Sequence, residues 1–261
     1  MRESIRCLCT NSLKIMESTQ PIYPSIDLKE FKKNTMSSLK KWDSFHCFVM
    51  LGAGIAYWFI QWRMLVFIVA LTSFIYLLIS EWPMLKKLHP FGGYANWVTF
   101  LRLTGLLVLF ALSGRLTNGQ LATMLIILVL LDGLDGILAR HFHQETSFGA
   151  NFDMETDAFY VCFVSILLFE KSLTGSWVLL VGFMRYFYIA LVYFTGMHYL
   201  TEKRTKFGPL IGVVLFVALL IPFVLPRSIY LPCLIGASAL VTLSFAWSFY
   251  LQIVEKRKSV E

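Results

Sequence analysis

The chain alternates between long apolar stretches and short polar connections. Eight apolar stretches come close to the roughly 20 residues that an α-helix needs to cross a bilayer. They are 47–61, 64–80, 97–114, 121–139, 153–169, 176–197, 209–225 and 230–253. The pattern predicts an all-α integral membrane protein with about eight transmembrane helices. The first two stretches, separated only by a turn at Trp62 and Arg63, are the weakest part of this prediction.

The composition agrees with a membrane protein. Hydrophobic residues make up 57% of the chain and charged residues only 15%, which excludes an ordinary soluble domain. The first 45 residues contain no apolar stretch, but within residues 27–41 apolar side chains are interspersed with lysines. This spacing favours an amphipathic helix lying on anionic lipid over a solvated tail.

Positive charges are unevenly distributed among the predicted connections. Lysines and arginines concentrate before the first stretch, after the second, fourth and sixth stretches, and at the C-terminus. With eight spans all of these positions lie on one side, which the positive-inside rule makes the cytoplasmic side. We therefore expect a multi-pass protein of a bacterial-type inner or cell membrane, with both termini in the cytoplasm. The net charge is +7, and the basic residues border the predicted spans. This placement favours lipid headgroups over nucleic acid as the partner.

Four aspartates interrupt the apolar pattern at the end of the fourth stretch and the start of the fifth. They are Asp132, Asp135, Asp153 and Asp157. Ionised carboxylates at membrane depth are costly unless something compensates their charge, so they indicate a functional site. At about 100° per residue, the first two share one helix face and the last two are stacked one turn apart on the next helix. Two such faces joined by a short turn can meet, and one or two divalent cations are the simplest compensation.

Small residues and one arginine occupy the positions around these acids. Gly136 and Ala139 lie on the face of the first aspartate pair, Gly149 lies on the stripe of the second pair, and Arg140 is at the helix end. Small residues leave room for a flat or bulky ligand against the backbone, and an arginine can pair with phosphate. Glu155 is expected to point away from this face, toward the rim. The combination predicts a site for a metal-bound phosphate compound.

The same positions form a motif: Asp, two residues, Asp-Gly, two residues, Ala-Arg, eight residues, Gly, three residues, Asp, three residues, Asp. This motif resembles the signature of the CDP-alcohol phosphotransferase family, and every fixed position is met. A weaker resemblance is carried by Asn96, Thr99 and Arg102, which match a motif at the start of the first core helix of many members. The resemblance covers 94 to about 253 and implies a six-helix core. We therefore expect a cytoplasmic N-terminal segment at 1–45, an additional transmembrane hairpin at 46–93 and a catalytic domain at 94–261.

The resemblance also implies a reaction and a role for each matching residue. In the family, a cytidine-diphosphate donor loses CMP while its phosphoryl-linked group passes to an alcohol. The four aspartates would hold two divalent ions, Mg²⁺ or Mn²⁺, and Asp157 would also accept the proton of the alcohol. A homodimer is implied as well. The remaining matching positions would bind the nucleotide: Asn96, Thr99, Gly136, Ala139, Arg140 and Gly149.

Basic residues in and after the sixth stretch bear on the acceptor alcohol. Arg185 lies deep inside that stretch, where an arginine normally faces an internal polar cavity. Lys203, Arg204 and Lys206 follow at its predicted cytoplasmic end. Together these four residues would suit an acceptor that itself carries phosphate. We predict an enzyme of phospholipid biosynthesis that transfers a phosphatidyl group from CDP-diacylglycerol to a small polar alcohol and releases CMP, with glycerol 3-phosphate or another phosphorylated alcohol slightly favoured.

Other functions are compatible with parts of this pattern. Within the family, the acceptor could be serine or inositol without phosphate, or the donor could be of the CDP-choline type. An intramembrane prenyltransferase also uses aspartate-rich helices, magnesium and a pyrophosphate, but its two acidic motifs lie on distant helices. A divalent-cation transporter would need acids on several spans, and the other stretches lack them.

Overall fold

The structure, a computed structural model, describes residues 28–86, 91–142, 145–197 and 208–258, with the backbone alone at 28–37, 135 and 258. All the regular elements in these ranges are helical, which confirms the all-α prediction. Short 3-10 turns follow two of the helices, at Ser113–Arg115 and Ile221–Phe223. The α-helices are α1 (Leu28–Ile60), α2 (Arg63–Ser80), α3 (Trp82–Leu85), α4 (Tyr94–Leu112), α5 (Asn118–His141), α6 (Ser147–Glu170), α7 (Trp177–Gly182), α8 (Met184–Phe194), α9 (Gly208–Leu220) and α10 (Arg227–Lys258).

The chain divides into two units, Met1–Ser37 and Ser38–Glu261. The described part of the first unit is the beginning of α1, and the second unit contains the rest of that helix and all the others. The amphipathic helix predicted at 27–41 is helical from Leu28 onward, but it continues without a break into the first predicted span. Its position on a lipid surface stays a prediction.

Five helical segments among the described residues are long and apolar enough to cross a membrane, so the chain is a multi-pass membrane protein. The other three predicted spans are also helical. However, α6 carries several carboxylates, α9 is only 13 residues long, and the sixth stretch is divided between two helices. Eight spans and their orientation therefore stay predictions. The five segments are Ser38–Ile60, Arg63–Ser80, Tyr94–Arg115, Asn118–His141 and Arg227–Arg257.

Helix α6 lies at the centre of the bundle. Its second half, from Ala158 to Leu168, is almost entirely buried. Its start is set by Thr146, whose hydroxyl accepts a hydrogen bond from the Gly149 amide at 3.0 Å and caps the helix. Helix α4 packs beside it, and α5 packs on α4. The first turns of α6 lie next to the start of α4, where Asn96 meets Gly149, and next to the end of α5, where Asp132 meets Asp153.

The sixth predicted span is interrupted at Phe183, between α7 and α8. Gly182, the last residue of α7, packs so closely on α6 that a Cβ atom there would lie 2.7 Å from the Cβ of Ser165. Hydropathy cannot show such an approach, because it depends on the partner helix. The interruption places Arg185 in the first turn of α8, and not in the middle of a continuous span.

Candidate active site

A cavity of about 770 Å³ opens where α4 and α6 begin and α5 ends. Its size is in the range of small-molecule and cofactor sites. Residues from α8, α9 and α10 close its other side. The structure brings together in this cavity most of the residues that the sequence singles out. These are Asn96, Thr99, Asp132, Gly136, Ala139, Arg140, Gly149, Asp153, Asp157 and Arg185.

Three of the four motif aspartates form a cluster. Asp132 from α5 meets Asp153 and Asp157 from α6, with one carboxylate oxygen of each within 4.8 Å of the others. Their side chains are partly exposed to the cavity, at 25%, 37% and 32% respectively. Asp135 lies on α5 less than one turn after Asp132, and its side chain is outside the described residues. Carboxylate oxygens at this spacing are the ligands that Mg²⁺ and Mn²⁺ prefer.

Arg102 reaches from α4 into the middle of this cluster. Its Nη2 lies 2.6 Å from Oδ1 of Asp132 and 2.6 Å from Oδ1 of Asp157, and its Nη1 lies 2.8 Å from Oδ1 of Asp153. The side chain is 2% exposed. A planar guanidinium can bridge several carboxylates in this way because its donors point in fixed directions. Arg102 therefore ties the three acidic side chains of two helices to a third helix.

The charge of the described cluster is only partly balanced. Three carboxylates and one guanidinium leave a formal charge of −2. One divalent cation would neutralise it, and a second would be matched by Asp135 together with the phosphates of a substrate. The donor set thus fits the divalent metal that the motif implies.

The predicted nucleotide positions surround the cluster, with some differences from the expected local roles. The space beside Gly149 is filled by Asn96, whose Oδ1 would lie 2.6 Å from a Cβ atom at that position. Gly149 therefore allows close packing of α4 on α6, in addition to lining the cavity. The side chain of Arg140 folds back over Gly136, and its Nη1 would lie 3.5 Å from a Cβ atom added to Gly136. The Thr99 hydroxyl donates to the Ala95 carbonyl at 3.3 Å within its own helix.

Arg185 has an acidic partner that the sequence pattern did not predict. Its Nε lies 2.8 Å from Oε1 of Glu155, and its Nη2 contacts the same oxygen. The Glu155 side chain is 0% exposed, so the expectation that it lies at the rim is wrong. Arg185 itself lines the cavity. The three basic residues predicted to accompany it, Lys203, Arg204 and Lys206, lie outside the described residues.

Three residues that the sequence did not assign to ligand binding also surround this site: Arg102, Glu155 and His46. Each is ionisable and lies in or at the border of an apolar stretch, which is the signal that could have marked them. Their partners come from other helices, so the spacing along the chain does not reveal which groups they meet.

Comparison with known proteins agrees with this geometry. A family model described as CDP-alcohol phosphatidyltransferase matches residues 93–254, which is more than half of the chain. The match runs from the start of α4 almost to the end of α10 and contains the whole cavity lining. No curated protein matched the chain.

Proposed function

Since the chain belongs to the CDP-alcohol phosphatidyltransferase family of phosphotransferase enzymes, we propose that it transfers a phosphatidyl group from CDP-diacylglycerol to a small polar alcohol and releases CMP. The observation that supports this most strongly is the single cavity shared by the aspartates, the nucleotide positions and Arg185. Family membership accounts for phosphatidyl transfer from a CDP-linked donor. The diacylglycerol donor and the alcohol are the finer parts of the proposal.

The cavity suits an amphipathic donor. One side carries the aspartates, which would bind phosphates through divalent ions, and Arg140, which can pair with them directly. The other side carries apolar side chains of α9 and α10, among them Ile211, Val213 and Phe245. The cytidine diphosphate headgroup of the donor would lie on the polar side. Its acyl chains would extend along the apolar side into the surrounding lipid.

Two divalent ions, Mg²⁺ or Mn²⁺, would be held by Asp132, Asp135, Asp153 and Asp157. When bound, they neutralise the charge that develops on the pyrophosphate as its anhydride bond breaks. Arg102 keeps the described carboxylates together and oriented. Arg140, at the exposed end of α5, would pair with the pyrophosphate, and Asn96, Thr99, Gly136, Ala139 and Gly149 would form the cytidine pocket.

Asp157 is the proposed general base. Its carboxylate accepts the proton of the alcohol as the alcohol oxygen bonds to the phosphorus that carries diacylglycerol. The bond from that phosphorus to the bridging oxygen breaks, and the bridging oxygen leaves with CMP. Arg102 Nη2, 2.6 Å from Asp157 Oδ1, would hold the carboxylate in a fixed orientation for this transfer.

Arg185 is the proposed site for a phosphate group on the acceptor, with Lys203, Arg204 and Lys206 as further candidates. It lines the same cavity as Asp157, so one alcohol could contact both residues. The pairing of Arg185 with Glu155 also favours a second candidate, because a guanidinium that is already neutralised would suit serine or unphosphorylated inositol. Glycerol 3-phosphate and inositol phosphate are preferred here because they use the charge of an arginine that faces the cavity.

The proposed enzyme acts at the cytoplasmic boundary of its membrane and, as the family resemblance implies, forms a homodimer. The catalytic end of the bundle, where α5 ends and α6 begins, corresponds to the connection after the fourth stretch. The positive charges assign that connection to the cytoplasmic side. The opposite end carries a separate ion pair, with Arg63 Nη1 3.0 Å from Glu170 Oε2. A cytoplasmic site would have direct access to nucleotide substrates.

The test is an assay of purified protein with CDP-diacylglycerol, Mg²⁺ and single alcohols: glycerol 3-phosphate, inositol phosphate, serine and inositol. CMP and the lipid product are measured together by mass spectrometry. The proposal expects CMP and phospholipid in equal amounts with one of these alcohols. A phosphorylated alcohol is expected to be the preferred acceptor. Turnover of CDP-choline with diacylglycerol, and none of CDP-diacylglycerol, would contradict the proposed donor.

A further inference from the structure

A buried polar chain leads from the N-terminal helices to the wall of the active-site cavity. It runs from Ser73 on α2 to His46 on α1, then to Glu155 on α6 and Arg185 on α8. The first three side chains are buried, and the fourth lines the cavity. Helices α1 and α2 lie outside the residues that match the family model, so this chain connects an additional part of the protein to the catalytic part.

The contacts at the two ends of the chain are of hydrogen-bond length, and the one between His46 and Glu155 is a longer approach of two buried polar atoms that have no hydrogen-bond partner among the described residues. His46 Nδ1 lies 2.7 Å from the Ser73 hydroxyl oxygen, and His46 Nε2 lies 3.9 Å from Glu155 Oε2. The other oxygen of Glu155 accepts from Nε and Nη2 of Arg185. If the Ser73 hydroxyl donates to Nδ1, the ring proton is on Nε2 and faces the carboxylate, which is the orientation that a neutral histidine can offer to an acid.

The histidine ring is itself held firmly. It stacks on Trp42 at a centroid distance of 4.8 Å, and Trp42 Nε1 donates to the Ser73 carbonyl at 3.1 Å. Tyr186, the residue after Arg185, packs edge to face against the histidine ring, with the two ring centroids 5.6 Å apart. These contacts leave His46 little freedom to move away from Glu155.

A buried carboxylate is expensive unless a cation and further hydrogen bonds satisfy it. Glu155 therefore needs Arg185 as its partner. Arg185 in turn depends on Glu155. An arginine side chain has many rotamers, and a fixed carboxylate stabilises the rotamer whose guanidinium pairs with it. The Arg185 side chain remains 14% exposed and lines the cavity in the rotamer that is selected.

We propose that Glu155 is a positioning residue, which holds the guanidinium of Arg185 at the cavity wall, and that His46 of the N-terminal helices fixes Glu155 from the opposite side. The proposal rests on the proposed role of Arg185 in binding the acceptor. It assigns the additional helices a function, which is to set the geometry of the acceptor site.

The position of Arg185 is tested directly by its reactivity toward phenylglyoxal, which modifies guanidinium groups, with mass spectrometry of the Arg185 peptide as the readout. Glu155→Gln removes the charge partner and should increase the modification rate several-fold, and Glu155→Asp should give an intermediate rate. His46→Phe keeps a ring against Trp42 but removes both nitrogens, and it should produce a smaller increase.

The matched control is Glu170→Gln. Glu170 lies at the other end of α6 and forms an ion pair with Arg63 of α2, so it joins the same helices away from the cavity. This variant should leave the modification of Arg185 unchanged. A general loosening of the N-terminal helices would raise the rate in both Glu155→Gln and Glu170→Gln and would overturn the proposal.

Kinetics with glycerol 3-phosphate as the acceptor give the functional readout. Glu155→Gln should raise its apparent KM by roughly ten-fold, equivalent to about 1.4 kcal/mol, with little change in the KM for CDP-diacylglycerol. In an Arg185→Ala background, the same substitution should add nothing, because Glu155 acts through Arg185. An equal increase in that background would contradict a positioning role.

The two proposals fail in different ways. If Arg185→Ala leaves the KM of the acceptor unchanged, the acceptor role of Arg185 is wrong, whatever the phenylglyoxal result. If Arg185→Ala raises that KM while Glu155→Gln changes neither the KM nor the modification rate, the positioning role of Glu155 is wrong. Should Glu155→Gln not yield folded protein, Glu155→Asp and His46→Phe provide the same comparison. An unchanged rate in His46→Phe would overturn the part assigned to the N-terminal helices.

Discussion

Replacing Arg102 with methionine tests the organisation of the acidic cluster. The change removes the guanidinium that bridges Asp132, Asp153 and Asp157 at 2.6 to 2.8 Å while keeping an unbranched stem in its place. In the absence of metal, the three carboxylates would then repel one another without this compensation. The variant should therefore be less stable than the parent protein, and most clearly so in EDTA.

The size of the effect follows from the geometry. Two unit charges 4 Å apart interact by about 4 kcal/mol at an effective dielectric constant of about 20. The aspartates are 25–37% exposed, so solvent screening reduces each interaction to about 1 kcal/mol. Three such interactions amount to about 3 kcal/mol, which is the scale for breaking a buried ion pair. At about 2–4 °C per kcal/mol, Tm should fall by roughly 6–12 °C.

The assay is thermal unfolding of purified protein in detergent, with EDTA and with excess Mg²⁺. Mg²⁺ should recover more of the Tm of Arg102→Met than of the parent, because the metal takes over part of the charge compensation. Arg102→Lys should be intermediate, since a single ammonium cannot bridge three carboxylates in the same way. Arg115→Met, at an exposed arginine beyond the end of α4, is the control and should leave Tm unchanged.

A Tm of Arg102→Met equal to that of the parent in EDTA would refute the bridging role. So would a loss of stability that is the same with and without Mg²⁺, because it would reflect packing of the side chain and not its charge.

Two further predictions concern individual residues of the site. Asp157→Asn should lower turnover by roughly 10²-fold, the usual scale for removal of a general base, while CDP-diacylglycerol still binds in an equilibrium assay. Asp132→Asn should lose both turnover and binding of CDP-diacylglycerol. Near-native turnover of Asp157→Asn would show that another group is the base. Arg185→Ala should raise the KM of a phosphorylated acceptor by tens-fold or more, since loss of one partner of a desolvated charge pair costs about 2–5 kcal/mol, and Arg185→Lys should restore part of it. Steady-state kinetics with serine provide the comparison, and an unchanged KM for glycerol 3-phosphate in Arg185→Ala would rule out the phosphate-binding role.

The helices were predictable from the sequence because a membrane-spanning helix requires a long apolar stretch, and that requirement leaves a local pattern. The meeting of Asp132 with Asp153 and Asp157 was predictable for a similar reason. Helical spacing fixes which side chains share a face, and the short connection between α5 and α6 brings those faces together. The interruption at Phe183 was not predictable, because it accompanies the close packing of Gly182 on Ser165 of another helix.

The partners of the buried charges were also beyond local reasoning. Arg102 and Arg185 could be identified as unusual from their depth in apolar stretches, but their acidic partners lie 30 or more residues away along the chain. Glu155 was misjudged because its face of α6 is opposite to that of the motif aspartates. That face meets His46 and Arg185 in the folded protein, so it is buried and does not form a rim.

The most direct test of the catalytic role of the acidic cluster compares CMP release by the parent protein and by Asp153→Asn, each with CDP-diacylglycerol and glycerol 3-phosphate. Asp153 is one of the three clustered aspartates, and Asp153→Asn changes charge with almost no change in size. The parent should release CMP only when both the alcohol and Mg²⁺ or Mn²⁺ are present, and EDTA should abolish the release. Asp153→Asn should release little or none at any metal concentration. Full CMP release by the parent in EDTA, or by Asp153→Asn with metal, would contradict a reaction that depends on metal held by these aspartates.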